Sequence, residues 1–260
     1  MDYETLKIDR DGPSFVVTLN RPSRRNAISL QCMDEILDAC RQAEAEPDSR
    51  AVIMTGGPDY FSAGADLNEA RATQGAVVTV DYLNAWHRLN AGLENLKKPV
   101  LAAIEGFCMT GGWELALACD IRVGAEGSTY AMTSSKIGSV PGAGGTQRLP
   151  RVVGIPKALE IMFSGDVIDA QEAYRIGALN RLTPKGGALD EAKKMVKVYE
   201  NRAPTSLHFL KRVVHTGMQM DLTSAIQFET FLETAIFTTE DRLEGFSAFL
   251  EKRSPKFKGR

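Results

Sequence analysis

The sequence predicts an α/β fold with a helical C-terminal region, and three observations support this prediction. Short apolar segments of strand length, such as 51–55 and 100–104, are each followed by a segment with helical spacing. This strand–helix–strand order repeats, which indicates parallel strands with helices packed outside the sheet. From residue 155 onward the periodicity is almost entirely helical. We therefore expect a core over residues 1–200 and a helical region over residues 201–260.

Each predicted element has a local signal. Two apolar segments, 6–8 and 15–19, flank the turn-like Asp11-Gly12-Pro13 and predict a hairpin. Apolar residues at helical spacing predict a helix over 29–46 that stops at Pro47. The remaining predicted elements are a helix over 81–97, strands over 51–55, 100–104 and 120–123, a helix over 111–119, and helices over 156–163, 170–176, 189–201, 205–217, 222–238 and 242–250.

Composition and charge exclude several classes of protein. Hydrophobic residues make up 43% of the chain and charged residues 25%, which is ordinary for a globular domain. The 31 basic residues are balanced by 33 acidic ones, for a net charge of −2. A nucleic-acid-binding or membrane-surface protein would show a basic excess, so we expect neither partner. A small anionic ligand bound by a few local cations stays possible.

The cysteines and the apolar segments indicate a reducing, cytoplasmic setting. The four cysteines are scattered and form no CxxC pair, so neither a disulfide framework nor a zinc site is expected, and no metal is predicted. No apolar run approaches 18 residues, and no basic-then-apolar signal segment opens the sequence.

Two glycine-rich turns carry the chemistry that the residues suggest. The first, 61–67, follows a buried strand, and its small residues let a ligand approach backbone amides such as that of Ala65. Asp66 in this turn suits a helix N-cap. The second, 106–114, ends a strand and opens a helix, whose first-turn amides favour negative charge. If the amides of Ala65 and Gly111 converge, they form an oxyanion hole. The alternative is that the glycines serve only as turns between a strand and a helix, since glycine turns are common.

A carboxylate lies close to this predicted hole. Glu114 follows Gly111 by three residues, which places it on the same face of a helix, about one turn away. That position suits acid–base work on whatever the two amides hold.

These segments together resemble the enoyl-CoA hydratase/isomerase (crotonase) family, and the resemblance extends over essentially the whole chain. It rests on the two glycine-rich turns and on the segments 19–22, 26–27, 140–150, 240–245 and 249–253. The implied fold is a crotonase-like spiral of ββα units with a helical C-terminal region, in which residues 201–260 serve for trimerisation or as a lid. The implied assembly is a homotrimer or homohexamer.

The resemblance also implies roles for individual residues. The amides of Ala65 and Gly111 would hold the carbonyl oxygen of a CoA thioester, and Glu114 would orient the attacking water. Arg24 and Arg25 fall where the family contacts CoA, and the turn residues Ala63, Asp66 and Leu67 are included in the predicted substrate site. Phe249 and Lys252 match positions that reach the CoA of a neighbouring subunit. Beyond the CoA thioester itself, no cofactor is expected.

One position departs from the family pattern. Hydratases of this family carry a second glutamate shortly before the 141–145 glycine turn, and counting back from Pro141 puts Ser134 there. A serine hydroxyl can hold a water but cannot act as a carboxylic acid, and general acid–base help is typically worth about 10²–10⁴ in rate. We therefore predict a hydratase or related lyase in which Glu114 is the single catalytic carboxylate and Ser134 a candidate catalytic residue.

Two alternatives stay open at this point. One is hydrolysis of a CoA thioester or a C–C bond, in which Glu114 activates water; a Ser134–Lys136 pair could assist, but the segment is interpreted as a strand on which the two side chains are not expected to cooperate. The other is a non-catalytic acyl-CoA binder with a vestigial Glu114.

Overall fold

The computed structural model of the protein describes residues 3–260, so the first two residues of the predicted core region lie outside it. Strands and helices alternate through the first two thirds of this range. The strands are β1 Leu6–Asp11, β2 Ser14–Leu19, β3 Ala51–Thr55, β4 Tyr60–Ser62, β5 Val100–Ile104, β6 Phe107–Met109, β7 Ile121–Ala125, β8 Thr129–Ala131, β9 Ile168–Asp169 and β10 Arg181–Thr183. The α-helices are α1 Leu30–Ala45, α2 Leu67–Ala72, α3 Ala76–Asn95, α4 Gly111–Ala118, α5 Gly145–Val153, α6 Ile155–Ser164, α7 Ala170–Arg175, α8 Ala188–Tyr199, α9 Pro204–Gly217, α10 Leu222–Ile236 and α11 Glu240–Leu250.

The strands form two sheets, and from β3 to β8 successive strands alternate between them. The larger sheet has the order β1-β2-β3-β5-β7-β10, and the smaller one β4-β6-β8-β9. Apart from the β1–β2 hairpin and the β8–β9 pair, all neighbours are parallel. Each of the pairs β3/β4, β5/β6 and β7/β8 contributes one strand to each sheet. This is the predicted spiral of ββα units, and the predicted hairpin is confirmed.

The larger sheet is buried on both faces, which explains its continuous apolar strands. In β3, Val52 and Met54 belong to the main core, which also contains α1, α3 and α4. Ala51 and Ile53 point to the opposite face and pack in a second cluster with Ala188 and other small residues of α8. Successive side chains of a strand face opposite sides, so β2, β3 and β5 each contribute to both clusters.

Two predicted helix limits show what local signals can and cannot establish. Helix α1 agrees with the prediction, because Ser29 Oγ accepts a hydrogen bond from Cys32 N at 3.2 Å and Pro47 follows its end. Helix α3 begins at Ala76 instead of residue 81. Apolar residues such as Val77 are exposed in its first turns, so the sequence there does not separate an apolar face from a polar one. The prediction of a helix depended on that separation.

The C-terminal helices expose an unusual amount of apolar surface. Helix α9 has no buried residue among those described, and α10 has only Ile236. Large apolar side chains of this region lie open, with Phe249 at 83% and Phe231 at 75% exposure. The helices α9, α10 and α11 also line an apolar cavity of about 1220 Å³. Contiguous apolar surface of this kind marks an interaction site.

Candidate active site

The two glycine-rich turns lie against each other at the ends of β4 and β6. Gly64 has φ +103°, a conformation that favours glycine, and a Cβ atom there would lie 2.9 Å from Met109 O and 3.2 Å from Gly111 N. Glycine is therefore required both for the backbone conformation and for the close approach of the second turn.

The amides of Ala65 and Gly111 converge. A Cβ atom built on Gly111 would lie only 3.0 Å from Ala65 N. Within residues 3–260 neither N–H donates a hydrogen bond, although their neighbours do: Asp66 N donates to Ile28 O at 2.9 Å and Glu114 N to Thr110 O at 2.8 Å. Two free amide donors side by side are the arrangement of an oxyanion hole.

Strained backbone at Thr110 opens the helix that carries Gly111. Thr110 has φ 38° and ψ −104°, which is exceptional for a β-branched residue. Three contacts hold it: its amide donates to Ala131 O at 2.8 Å, its Oγ1 lies 2.9 Å from Thr133 Oγ1, and Thr133 N donates to Thr110 Oγ1 at 3.1 Å. Strain of this type costs about 1–3 kcal/mol and typically occurs at functional sites.

Glu114 lies in the first turn of α4 and is 2% exposed. Its Oε1 accepts hydrogen bonds from Ala143 N at 2.8 Å and from Gly145 N at 2.7 Å. Its Oε2 has no partner within the described residues, yet it is not sealed from solvent. One carboxylate oxygen is therefore fixed by the backbone and the other is available to a ligand.

Burial raises the pKa of Glu114 from 4.5 to about 7. The two backbone amides and the positive charge of Arg148 oppose this increase without cancelling it. Arg148 is itself held by Glu94, with 2.6 Å between Nε and Oε1. A carboxyl group with a pKa near neutrality exchanges protons readily, as an acid–base catalyst must.

The turn that holds Glu114 is supported from α3. Asn90 is completely buried, and its Nδ2 donates to Ala143 O at 2.7 Å. Arg148 Nη1 donates to the same carbonyl at 3.2 Å. The sequence analysis assigned no role to Asn90 or Arg148. The signal for Asn90 was available, because a polar residue stands on the otherwise apolar face of a predicted helix.

The structure places Ser134 in a 3-10 helix, Thr133–Ile137, so the interpretation of this segment as a strand is wrong. The reason is the tight turn that follows, in which Gly138 N and Ser139 N both donate to the Ser134 carbonyl. Ser134 is buried, and its hydroxyl makes no hydrogen bond within the described residues.

The structure does not bring Ser134 and Lys136 together as a dyad. Lys136 is exposed, and its Nζ lies 3.1 Å from Asp166 Oδ1. The reason taken from the sequence, that a strand would separate the two side chains, is wrong, because residues two positions apart on a strand share a face. On the observed 3-10 helix they point in different directions. The conformation and the Asp166 ion pair are thus the physical reasons against the dyad.

The predicted CoA-contacting residues near the first turn form one surface. Arg24 and Arg25 are exposed in the loop before α1, and Arg25 O accepts a hydrogen bond from Ala63 N at 3.0 Å. Ala63 and Leu67 are also exposed. Asp66 is buried: it caps α2 through a 3.1 Å bond from Asn68 N and pairs with Arg21 at 3.0 Å. The structure thus shows Asp66 in a supporting position, and contact of these residues with a ligand stays a prediction.

Phe249 and Lys252 lie apart from this surface, in the C-terminal region. Phe249 lines the apolar cavity between α9, α10 and α11, and Lys252 follows α11 with φ 54°. No described hydrogen bond joins either residue to Ala65, Gly111 or Glu114. Their predicted role, which involves a neighbouring subunit, stays a prediction.

The model of the enoyl-CoA hydratase/isomerase family matches residues 13–260. This chain belongs to that family. A protein of Mycobacterium bovis named "Probable enoyl-CoA hydratase" is 35% identical over 258 residues, which cover 99% of each chain. A short-chain-enoyl-CoA hydratase of Clostridium acetobutylicum is 34% identical over 254 residues, which cover 97% of each.

The crotonase fold is also seen in solved structures of the family. The crystal structure of an enoyl-CoA hydratase from Bacillus anthracis superposes with a TM-score of 0.93 at 35% identity, covering 99% of this chain and 100% of that one. The predicted fold class is confirmed. For this family member, no helix of residues 3–260 has the length and apolar character needed to cross a membrane. In the same range, no group of three or more His, Cys, Asp or Glu residues could hold a metal ion.

Proposed function

We propose that this enzyme catalyses the reversible hydration of a 2-enoyl-CoA thioester and that Glu114 is its single catalytic carboxylate. The observation that carries the proposal is the position of Glu114: it follows Gly111 by one turn of α4, its Oε2 has no described partner, and the unpaired amides of Gly111 and Ala65 lie side by side.

The two amides act on the thioester carbonyl. When water adds to the β-carbon, the electrons of the double bond move onto the carbonyl oxygen and give an enolate. The amides of Ala65 and Gly111 donate to this oxygen more strongly as its negative charge grows. One such donor is typically worth about 2.7–4 kcal/mol of the barrier.

Glu114 handles the attacking water. Oε1 is held by two amides, so Oε2 is the oxygen that takes a proton from the water as the C–O bond forms. In the reverse direction the protonated carboxyl gives this proton to the departing hydroxyl. A pKa near neutrality suits both directions.

We propose that Ser134 occupies the position at which related hydratases use a second carboxylate to supply the α-carbon proton. We propose that water or the substrate completes this transfer and that turnover of crotonyl-CoA is correspondingly slow. Ser134→Glu should increase crotonyl-CoA hydration, whereas Ser135→Glu, on the exposed neighbouring position, should leave it unchanged. Equal rates for Ser134→Glu and the wild type would argue against this role.

We also propose that Arg24, Arg25, Ala63, Asp66 and Leu67 contribute to the CoA site, directly or through the turn that Asp66 supports. The support is their shared surface beside Ala65. Replacing Arg24 and Arg25 together by alanine should raise KM for the thioester with little change in kcat. An unchanged KM would remove these cations from the site.

The proposed assembly is a homotrimer or homohexamer in which Phe249 and Lys252 approach a neighbouring subunit's CoA. The exposed apolar surface of α9, α10 and α11 supports it. Light scattering should give a mass three or six times that of the 28.4 kDa chain, and a monomer would count against the shared site. A cytoplasmic location completes the proposal, supported by the buried free thiols of Cys32, Cys40, Cys108 and Cys119.

The experiment that tests the proposal is turnover of a CoA-thioester panel with products identified by mass. The panel includes crotonyl-CoA, longer enoyl-CoAs and cyclic dienoyl-CoAs, and no metal or other cofactor is added. A mass gain of one water with CoA still attached supports hydration. Release of free CoA indicates a hydrolase, and tight binding without any reaction indicates an acyl-CoA binder.

A further inference from the structure

Helix α3 borders the site. The Trp86 ring would lie 2.9 Å from a Cβ atom on Gly111, and Leu83 Cδ2 would lie 2.9 Å from one on Gly142. Helix α3 therefore contacts the oxyanion turn and the turn that holds Glu114. Tyr82 precedes Trp86 by one helical turn and shares its face, so its side chain belongs to the same wall.

The Tyr82 hydroxyl is buried and has no hydrogen-bond partner within residues 3–260. Buried hydroxyls in folded proteins nearly always have a partner, and at the edge of a substrate site an exception is explained by a water or a ligand that binds there. The indole of Trp86 is nearby without reaching hydrogen-bond geometry, so the site itself offers no replacement.

The surroundings keep this hydroxyl protonated. Burial raises the pKa of Tyr82, and the negative charges of Glu69, Asp66 and Glu114 raise it further. The neighbouring Leu83 contacts the turn at Gly142, and Glu114 accepts hydrogen bonds from Ala143 and Gly145 of the same turn, so Tyr82 lies on the part of α3 that borders the catalytic carboxylate. A phenol in such a place is a hydrogen-bond donor, whereas an ionised carboxylate only accepts.

We propose that the Tyr82 hydroxyl contacts the substrate and donates a hydrogen bond to the oxygen of the attacking water, from which Glu114 takes a proton. After addition, the same hydrogen bond is donated to the β-hydroxyl oxygen of the product. The inference rests on the proposed function. It assigns the orientation of this oxygen to Glu114 and Tyr82 together.

No bond of Tyr82 is made or broken in this role. Water loses one proton to Glu114 Oε2, its oxygen forms the bond to the β-carbon, and the electrons of the double bond move onto the thioester carbonyl oxygen. As the enolate collapses, the α-carbon takes a proton from a second water, and Glu114 returns its proton to the hydroxide that this water leaves. The phenol keeps its own proton and holds the oxygen in line with the β-carbon. In the dehydration direction the same hydrogen bond stabilises the leaving hydroxyl.

The proposal is tested with Tyr82→Phe in the full-length protein, with Tyr199→Phe as a matched control. Tyr199 is a partly buried tyrosine on α8 that packs against the second core cluster. We expect Tyr82→Phe to reduce kcat about tenfold, as for the loss of one hydrogen bond in the transition state, without lowering Tm. Tyr199→Phe should keep the wild-type kcat.

Binding separates this inference from the proposed function. The quantity compared is the ratio of the affinity for 3-hydroxybutyryl-CoA to the affinity for butyryl-CoA. This ratio should be larger for the wild type than for Tyr82→Phe, because only 3-hydroxybutyryl-CoA carries the β-oxygen. This ratio can be measured by calorimetry even if the wild type turns over no member of the panel. An unchanged ratio together with wild-type kcat would overturn the role of Tyr82, and so would a fall in Tm that accounts for the lost activity.

Discussion

Replacing Glu114 by glutamine tests the site and its energetics together. Glutamine keeps a carbonyl oxygen where Glu114 Oε1 accepts from Ala143 N and Gly145 N, so the turn should keep its conformation. The group at the position of Oε2 becomes an amide that cannot accept a proton. We expect kcat to fall by about 10²–10⁴, while CoA-ester binding changes little.

The same substitution should stabilise the protein at alkaline pH. The folded protein raises the pKa of Glu114 from 4.5 to about 7, so it binds this proton more tightly than the unfolded chain does. Stability from this group is therefore greatest below about pH 4.5 and falls as the pH rises to about 7. The full loss corresponds to about 3 kcal/mol, at 1.36 kcal/mol for each pKa unit.

Urea unfolding of the wild type and Glu114→Gln at pH 5 and pH 8 measures this effect at equal protein concentration. The stability gained by the variant should be larger at pH 8 than at pH 5 by about 2 kcal/mol, since most of the loss occurs between these values. Glu126→Gln, on an exposed turn after β7, is the control and should show no such difference.

Two results would refute this reasoning. Full activity in Glu114→Gln would remove Glu114 from the chemistry. A gain in stability that is equal at both pH values would show that the buried carboxylate does not titrate near neutrality, even if activity is lost.

Three further substitutions or measurements address the same site. The kcat/KM for hydration should rise with pH through about 7 and then level off, because ionised Glu114 accepts the proton, and kcat/KM for dehydration should follow the same profile, because the overall equilibrium neither consumes nor releases a proton; flat profiles would contradict this. Gly145→Ala places a Cβ 2.9 Å from Glu114 Cγ and should abolish turnover, whereas Gly217→Ala, with its nearest neighbour at 3.5 Å, should be tolerated. Asn90→Leu removes the donor to Ala143 O and should lower kcat about tenfold with KM nearly unchanged, and a change confined to KM would indicate a different role.

Local signals in the sequence account for much of the fold. The apolar segment Val100–Ile104 is a strand with the predicted limits, because a short β-rich segment bounded by Pro99 and a glycine turn has few alternatives. Helix α1 is likewise set by a cap and a proline. The strands of the smaller sheet, such as Tyr60–Ser62, escaped prediction since three residues are too few to show alternation.

By itself the sequence determined the residue types and the local order of the site: the glycines at 64 and 111, the carboxylate one turn later and the serine at position 134. Tertiary structure alone decided what these groups face. Glu114 takes its hydrogen bonds from amides about thirty residues along the chain, and Asn90 and Tyr82 approach from a separate helix. The pKa of Glu114 is raised by burial among these elements, a property of the packed site that no spacing within a segment contains.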